Sequence, residues 1–298
     1  MNASFDLARE AARNAAGLQS HPAGALYVVA TPIGNLADIS LRALHLLGLV
    51  DAIACEDTRH TQALLKHYGI AKPLMAVHEH NEQEAAVQVI GRLQAGQRVA
   101  YVSDAGTPAV SDPGARLVAA VRDAGAPVVP LPGPSSLTAV LSVAGLEGDS
   151  GLVFAGFLPS RAGEREQAVK QLASEPRATV LLEAPHRMAA LARELANLGE
   201  RKITVGRELT KQFEEIATLA AQALPDWLAQ DPHRLRGEFA LVLHPQAGPA
   251  QDSMQDAEKV LTLLLAELPL KTAVRLAADI TGAPRNALYD KALSLKRP

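Results

Sequence analysis

Five short runs of apolar, β-prone residues, at 26–30, 52–55, 74–77, 99–102 and 128–131, alternate with stretches of helical period at 41–47, 58–67, 82–94, 115–124 and 135–143. Strands separated by whole helices cannot pair as hairpins. They lie parallel, with helices covering the sheet, and the fold class is α/β. An open sheet of this kind binds ligands outside the carboxyl ends of its strands. Three runs end in Gly/Pro-rich turns at just those places: Thr31-Pro32-Ile33-Gly34 after the first, Ser103-Asp104-Ala105-Gly106-Thr107-Pro108 after the fourth, and Pro132-Gly133-Pro134-Ser135-Ser136 after the fifth. Glycine lets a backbone approach a ligand closely, and helix N-termini present unpaired N–H groups to it.

A second series follows, with strand-like runs at 153–155, 179–182, 202–205, 214–218 and 238–243 and helical stretches at 164–173, 185–198 and 219–229. The short connection into 214–218 predicts a mixed sheet here. Residues 145–151 read as a linker. Beyond 253, helical stretches at 257–267, 271–280 and 285–295 flank a Thr281-Gly282-Ala283-Pro284 turn, the spacing of a helix-turn-helix. The expected organisation is a flexible N-terminal extension at 1–24, α/β lobes at 25–145 and 151–245, and a small helical domain at 253–298.

Several classes are disfavoured. No apolar run reaches the ~18–20 residues that span a bilayer, and the first 24 residues lack a secretory pattern, so no membrane association is expected. The single cysteine, Cys55, allows no internal disulfide and suggests a cytoplasmic setting. Neither a dinucleotide fingerprint nor a P-loop is present, and no nucleophile elbow appears. His78-Glu79-His80 reads as a polar strand end rather than a ligand set, so no metal is expected. A net charge of −3 argues against a uniformly basic nucleic-acid face. Charge is uneven, however. Residues 271–298 carry Lys271, Arg275, Arg285, Lys291, Lys296 and Arg297 against Asp279 and Asp290, a local balance of +4. Arg161 and Arg165 add a second basic region beside 157–159.

The turns become specific when taken with other motifs: LYVVATPIGNLAD at 26–38, CEDTRHT at 55–61, VSDAGTPAVSDPG at 102–114, PLPGPSS at 130–136, FAGFLP at 154–159, EAPHR at 183–187, GRELTK at 206–211 and RGEF at 236–239. In this order and number they resemble the bacterial 16S ribosomal RNA cytidine 2′-O-methyltransferase family, within the tetrapyrrole-methylase-type (class III) SAM-dependent methyltransferases. The likeness runs through 26–243 and continues into the terminal helices. It implies a two-lobed tetrapyrrole-methylase-like methyltransferase fold with a C-terminal helix-turn-helix. It also implies a homodimer, with S-adenosyl-L-methionine between the lobes and 16S rRNA of the small ribosomal subunit as substrate. The donor contacts it implies fall on Pro32, Ser103, Asp104, Ala105, Gly106, Thr107, Val110, Ser135, Ser136, Phe157, Glu238 and Ala240.

A ribose hydroxyl is a poor nucleophile, and a general base contributes ~10²–10⁴-fold. The candidates are Glu56, Asp57, His60, Glu183, His186 and Glu208, with Asp57 and Glu183 foremost and His186 beside the latter. Asp57 reads equally well as the N-cap of a helix beginning at Thr58. Arg59, His60, Arg187, Arg207 and Lys211 are the candidate RNA contacts; Arg59 and His60 read equally well as a solvated helix face, and Glu183 beside His186 and Arg187 also reads as a structural ion pair. Two other functions stay open: a small-molecule, tetrapyrrole-like methyltransferase of the same fold, and a ligand-sensing helix-turn-helix regulator.

Overall fold

The computed structural model describes residues 3–78, 81–147, 151–246 and 250–295. Glu79 and His80 of the 78–80 triplet, residues 148–150 of the linker, and Lys296 and Arg297 lie outside the described residues.

The first lobe is a five-stranded, wholly parallel sheet in the order β3-β2-β4-β1-β5, with β1 at Leu26–Val29, β2 at Ala52–Cys55, β3 at Leu74–Ala76, β4 at Val99–Val102 and β5 at Val128–Leu131. Its strands are apolar at every position because both faces are covered. Tyr27, Ile53, Cys55, Ala100 and Val102 point into one core cluster, while Leu26, Ala54, Val99 and Tyr101 point into the other. Helices α2 (Leu41–Leu49), α3 (Thr58–His67), α4 (Glu82–Gln94), α5 (Ala115–Asp123) and α6 (Ser136–Val143) complete the lobe. Preceding them, α1 (Ala3–Ala16) occupies part of the stretch read as an extension. It lies against α2 with Ala12 and Ala16 buried, and Phe5 meets the Tyr68 ring edge-on at 5.1 Å between centroids.

The second lobe is a mixed sheet in the order β6-β7-β10-β8-β9, with β6 at Leu152–Phe157, β7 at Ala178–Glu183, β8 at Lys202–Arg207, β9 at Glu215–Ala220 and β10 at Phe239–Leu243. Among the described residues of this lobe only β6 and β7 pair in parallel; β10 runs antiparallel to β7 and β8, and β8–β9 is a hairpin. Residues 219–220 are strand rather than the start of a helix, because Ala220 still pairs with Lys202 of β8. The helix α9 (Leu224–Ala229) waits until Pro225 can occupy its first turn. Helices α7 (Ala162–Ala173) and α8 (Pro185–Leu195) complete this lobe; α8 and α9 share its main core cluster with Met188, Leu191, Leu195, Leu224 and Leu228. Across the other face lies α6 of the first lobe. Its Val140, with Ala144, packs on Val180, Ala240 and Val242 and joins the two lobes through one apolar cluster.

The C-terminal helices α10 (Ala250–Glu267), α11 (Leu270–Thr281) and α12 (Arg285–Leu295) form a separate core around Ala257, Leu261, Ala277, Leu288 and Ala292. Part of the positive charge expected here is spent within the domain: Arg285 pairs with Asp279 at 2.7 Å and Lys291 with Glu258 at 2.8 Å. Among the described residues no helix is long and apolar enough to cross a membrane.

Candidate active site

The three Gly/Pro turns converge and hold one another. Thr31 and Gly106 exchange backbone hydrogen bonds of 2.9 and 3.0 Å, and the Thr107 hydroxyl donates to the Pro134 carbonyl at 3.1 Å. Gly106 sits at φ +80 and Ala109 at φ +63, both left-handed. For a non-glycine residue that conformation costs energy and persists only where the surroundings enforce it, commonly at binding sites. The far end of the loop is anchored by Glu82, a buried carboxylate of α4. Its Oε1 accepts from the backbone N–H groups of Gly114, Arg116 and Leu117 at 2.8, 3.2 and 3.4 Å. Those are unpaired donors at the start of α5, so Glu82 caps that helix from outside it.

Between the lobes the turns border a cavity of about 290 Å³. The first lobe contributes Ile33, Ala105, Ser111, Asp112 and Ser136; the second contributes Phe157, Leu182, Glu183, Ala184, Pro185, Leu209, Glu238, Phe239 and Ala240. Most of this lining is apolar or backbone. Glu183 is the exception that matters. Its side chain has 0% exposure, its Oε1 accepts from the Ala184 N–H at 2.8 Å and lies 3.1 Å from Arg187 Nε, and its Oε2 has no hydrogen-bond partner. A buried carboxylate oxygen left without a donor is costly, and a ligand donor arriving in the cavity would relieve it.

A second group of acids, Glu56 with Asp104 and Asp112 of the loop, lies at this end of the sheet. Burial, then neighbouring Asp104 and Asp112, pushes the Glu56 carboxyl above its ordinary range; burial also raises Asp112, against a hydrogen bond from Ser103. Asp57 stands apart. It is the N-cap of α3, accepting from the Arg59 N–H at 2.8 Å and from the Arg59 guanidinium, and those bonds hold its pKa at about 2. The Asp57 N–H in turn donates to Asp104 at 3.2 Å. Because the folded pKa is depressed, the stabilising contribution of Asp57 is fully present above the ordinary value of ~3.9. It disappears as pH falls through about 2. Asp57→Asn is therefore expected to flatten the fall of the thermal midpoint between about pH 4 and pH 2, measured at low salt. An unchanged slope would deny the ion pair any energetic role.

The structure brings Ala105, Ser136, Phe157, Glu183, Glu238 and Ala240 together at the cavity, all singled out from sequence. Ser103, Asp104, Gly106 and Thr107 shape the loop behind its wall, Pro32 is buried beside lining residue Ile33, Ser135 precedes α6, and Val110 faces solvent. Asp112, Ser111, Leu209 and Phe239 were not singled out, although each lies in or next to a quoted motif. His186, Arg59 and His60 are exposed. Two basic residues lie deeper than a surface patch needs. Arg207 is buried and donates to the carbonyls of Arg236, Phe213 and His233, so it pins a loop. Arg165 is also buried, bonded through two nitrogens to Glu194 at 2.8 and 3.0 Å, which removes it from any surface patch. Arg187 faces Glu183 and donates to Leu158 O, and Lys211 bridges Glu208 and Glu238 at 2.8 and 3.1 Å.

The fold is shared with solved methyltransferases. Cobalt precorrin-4 methyltransferase, a cobalamin biosynthetic enzyme, superposes with a TM-score of 0.56 at 18% identity, over 74% of this chain and 95% of that one. Uroporphyrin-III C-methyltransferase from Thermus thermophilus superposes with 0.51 at 23% identity, over 74% and 94%. At such identities the likeness shows the fold alone. Sequence goes further. Residues 25–225 match the tetrapyrrole (corrin/porphyrin) methylases and residues 251–296 match the RsmI C-terminal HTH domain. The chain belongs to the tetrapyrrole methylase family and, within it, to the branch of ribosomal RNA small subunit methyltransferase I. Proteins of that name are 49% identical in Pseudomonas aeruginosa, over 91% of this chain and 97% of the relative, and 48% identical in Escherichia coli O157:H7, over 91% and 95%.

Proposed function

We propose that this methyltransferase moves a methyl group from S-adenosyl-L-methionine to the ribose 2′-hydroxyl of a decoding-region cytidine in 16S rRNA. The observation that carries the reading is the buried, unpartnered Oε2 of Glu183, a residue that lines the mainly apolar cavity between the lobes. The relatives supply the substrate class. The cavity lies near the ~300 Å³ lower end of small-molecule sites. Its residues suit such a donor: Ile33, Phe157, Leu209 and Phe239 offer apolar walls, and the Ala105 backbone, Ser136 and Glu238 offer polar contacts. When bound, the donor supplies a methyl group on a positively charged sulfur. Glu183 would hold the proton of the acceptor hydroxyl at Oε2, and the packed lobes would keep water away and align the reacting groups. Alignment alone is worth roughly 7–11 kcal/mol.

By the same resemblance the enzyme works as a homodimer in the cytoplasm, on rRNA within the small subunit. Incubation with labelled donor and 30S particles, free 16S RNA, uroporphyrinogen or duplex DNA tests the reading. Label in the ribosomal acceptor supports it, label in uroporphyrinogen points to a tetrapyrrole enzyme, and label in none points to a regulator. Mapping the blocked ribose identifies the nucleotide.

The separate core of the terminal helices leads to a further expectation. Deleting residues 253–298 should weaken rRNA methylation by at least about tenfold, a loss of ~1.4 kcal/mol in transition-state binding, with donor affinity intact by calorimetry. Equal loss of both would make the domain a folding element.

A further inference from the structure

Helix α3 carries a basic groove that belongs to neither the cavity nor the terminal domain. Residues 58–78 contain no Asp or Glu, on a chain whose net charge is −3. Along α3, Arg59, Gln62, Ala63 and Lys66 fall at i, i+3, i+4 and i+7, one face of a helix. Thr61 and Leu65 are buried, and Leu65 lies at the inner edge of the groove. The outer face forms one wall of a concave region whose other wall is the 69–74 connection with Lys72, enclosing about 960 Å³. Among the described residues, no carboxylate lines it. Arg59 is shared with Asp57 at 3.0 Å, whereas Lys66 and Lys72 have no carboxylate within ion-pair distance among the described residues. A solvated helix face would be convex and would mix its charges; this one is concave and of one sign.

We propose that this groove seats the sugar–phosphate backbone of the RNA acceptor, with Lys66 and Lys72 as its phosphate contacts. This rests on the rRNA reading above and deepens it. The position suits the task. The N-terminus of α3 touches the donor loop through the Asp57–Asp104 bond, so an RNA strand in the groove runs toward the site. Ten residues of helix span about 15 Å, the rise of about four nucleotides at ~3.4 Å each. Charge complementarity selects a phosphate polymer, and the absence of aromatic lining leaves the bases unread, so the groove positions the strand and does not specify its sequence.

The test is the salt dependence of 30S-particle binding by the full-length protein and by Lys66→Ala/Lys72→Ala. Loss of two phosphate contacts should reduce the slope of log affinity against log salt by about 1.4 for a single strand and weaken binding about tenfold at 0.15 M. Lys66→Arg/Lys72→Arg should restore both, and donor affinity and the thermal midpoint should not move. An unchanged slope in the alanine variant, with the parent still binding and methylating the particle, overturns the groove alone. A parent that neither binds nor methylates any ribosomal acceptor overturns the rRNA reading and the groove with it.

Discussion

Glu183→Gln should lower the single-turnover rate of methyl transfer by about 10²–10⁴-fold, the usual worth of a positioned general base, while donor affinity stays within about twofold. Glutamine keeps the shape of the side chain and an oxygen able to accept from the Ala184 N–H. What changes is the atom at the Oε2 position. In the parent that oxygen is buried and unpartnered on a residue that lines the cavity, so it has free capacity to accept a proton or a hydrogen bond from a hydroxyl that reaches it. In the variant an amide nitrogen there is a donor, or the flipped amide presents an oxygen of low basicity. Arg187 remains beside the side chain in both proteins. The measurement is rate against labelled 30S acceptor at saturating donor, with donor affinity by calorimetry. A rate within about threefold of the parent would remove Glu183 from the chemistry and move attention to Asp112, a second of the three cavity carboxylates, whose basicity burial raises.

How much of this was visible in the residues follows from which forces act locally. The first lobe was legible because a parallel sheet covered on both faces demands unbroken apolar runs, and Leu26–Val29, Val99–Val102 and Val128–Leu131 are such runs with Gly/Pro turns at their ends. The second lobe was harder. Residues 219–220 suit a helix by composition, and only pairing with β8, a nonlocal fact, keeps them extended. The backbone-lined part of the site was readable because it depends on local chain geometry. The direction of long charged side chains was not. Arg165, Arg201 and Arg207 all turn inward, because a guanidinium with five donors can be satisfied by carbonyls and carboxylates that lie far away in sequence. Arg201 bonds to carbonyls of Leu172, Arg177 and His244, each at least 24 residues distant. Similarly, Glu82 looks like an ordinary acidic residue in the first turn of its own helix, yet it caps a different one.

That cap makes Gly114→Ala the most damaging small substitution expected in the chain. Gly114 sits at φ +122, where side chains are strained, and an added Cβ would lie 2.2 Å from Tyr101 Cε1. The ring cannot retreat: Tyr101 is fully buried and its hydroxyl donates to the Pro113 carbonyl at 2.5 Å. Backbone strain costs ~1–3 kcal/mol and overpacking a further ~1–3 kcal/mol. The sum, about 2–6 kcal/mol, is a large part of a typical stability of ~5–15 kcal/mol. Any shift that relieves the clash moves the start of α5 away from Glu82 and strips a buried carboxylate of its donors, so relaxation is costly too. The same replacement at Gly91 has the opposite sign. Gly91 lies within α4, is exposed, and has nothing within 4 Å of a new Cβ, so alanine there gains about 0.5–1 kcal/mol of helix stability. Thermal unfolding of the two variants beside the parent should therefore move the midpoint down by at least about 4 °C for Gly114→Ala and slightly up for Gly91→Ala. Equal shifts of the same sign would mean that the loop 103–114 yields freely, and a yielding loop cannot be the fixed wall of the donor cavity.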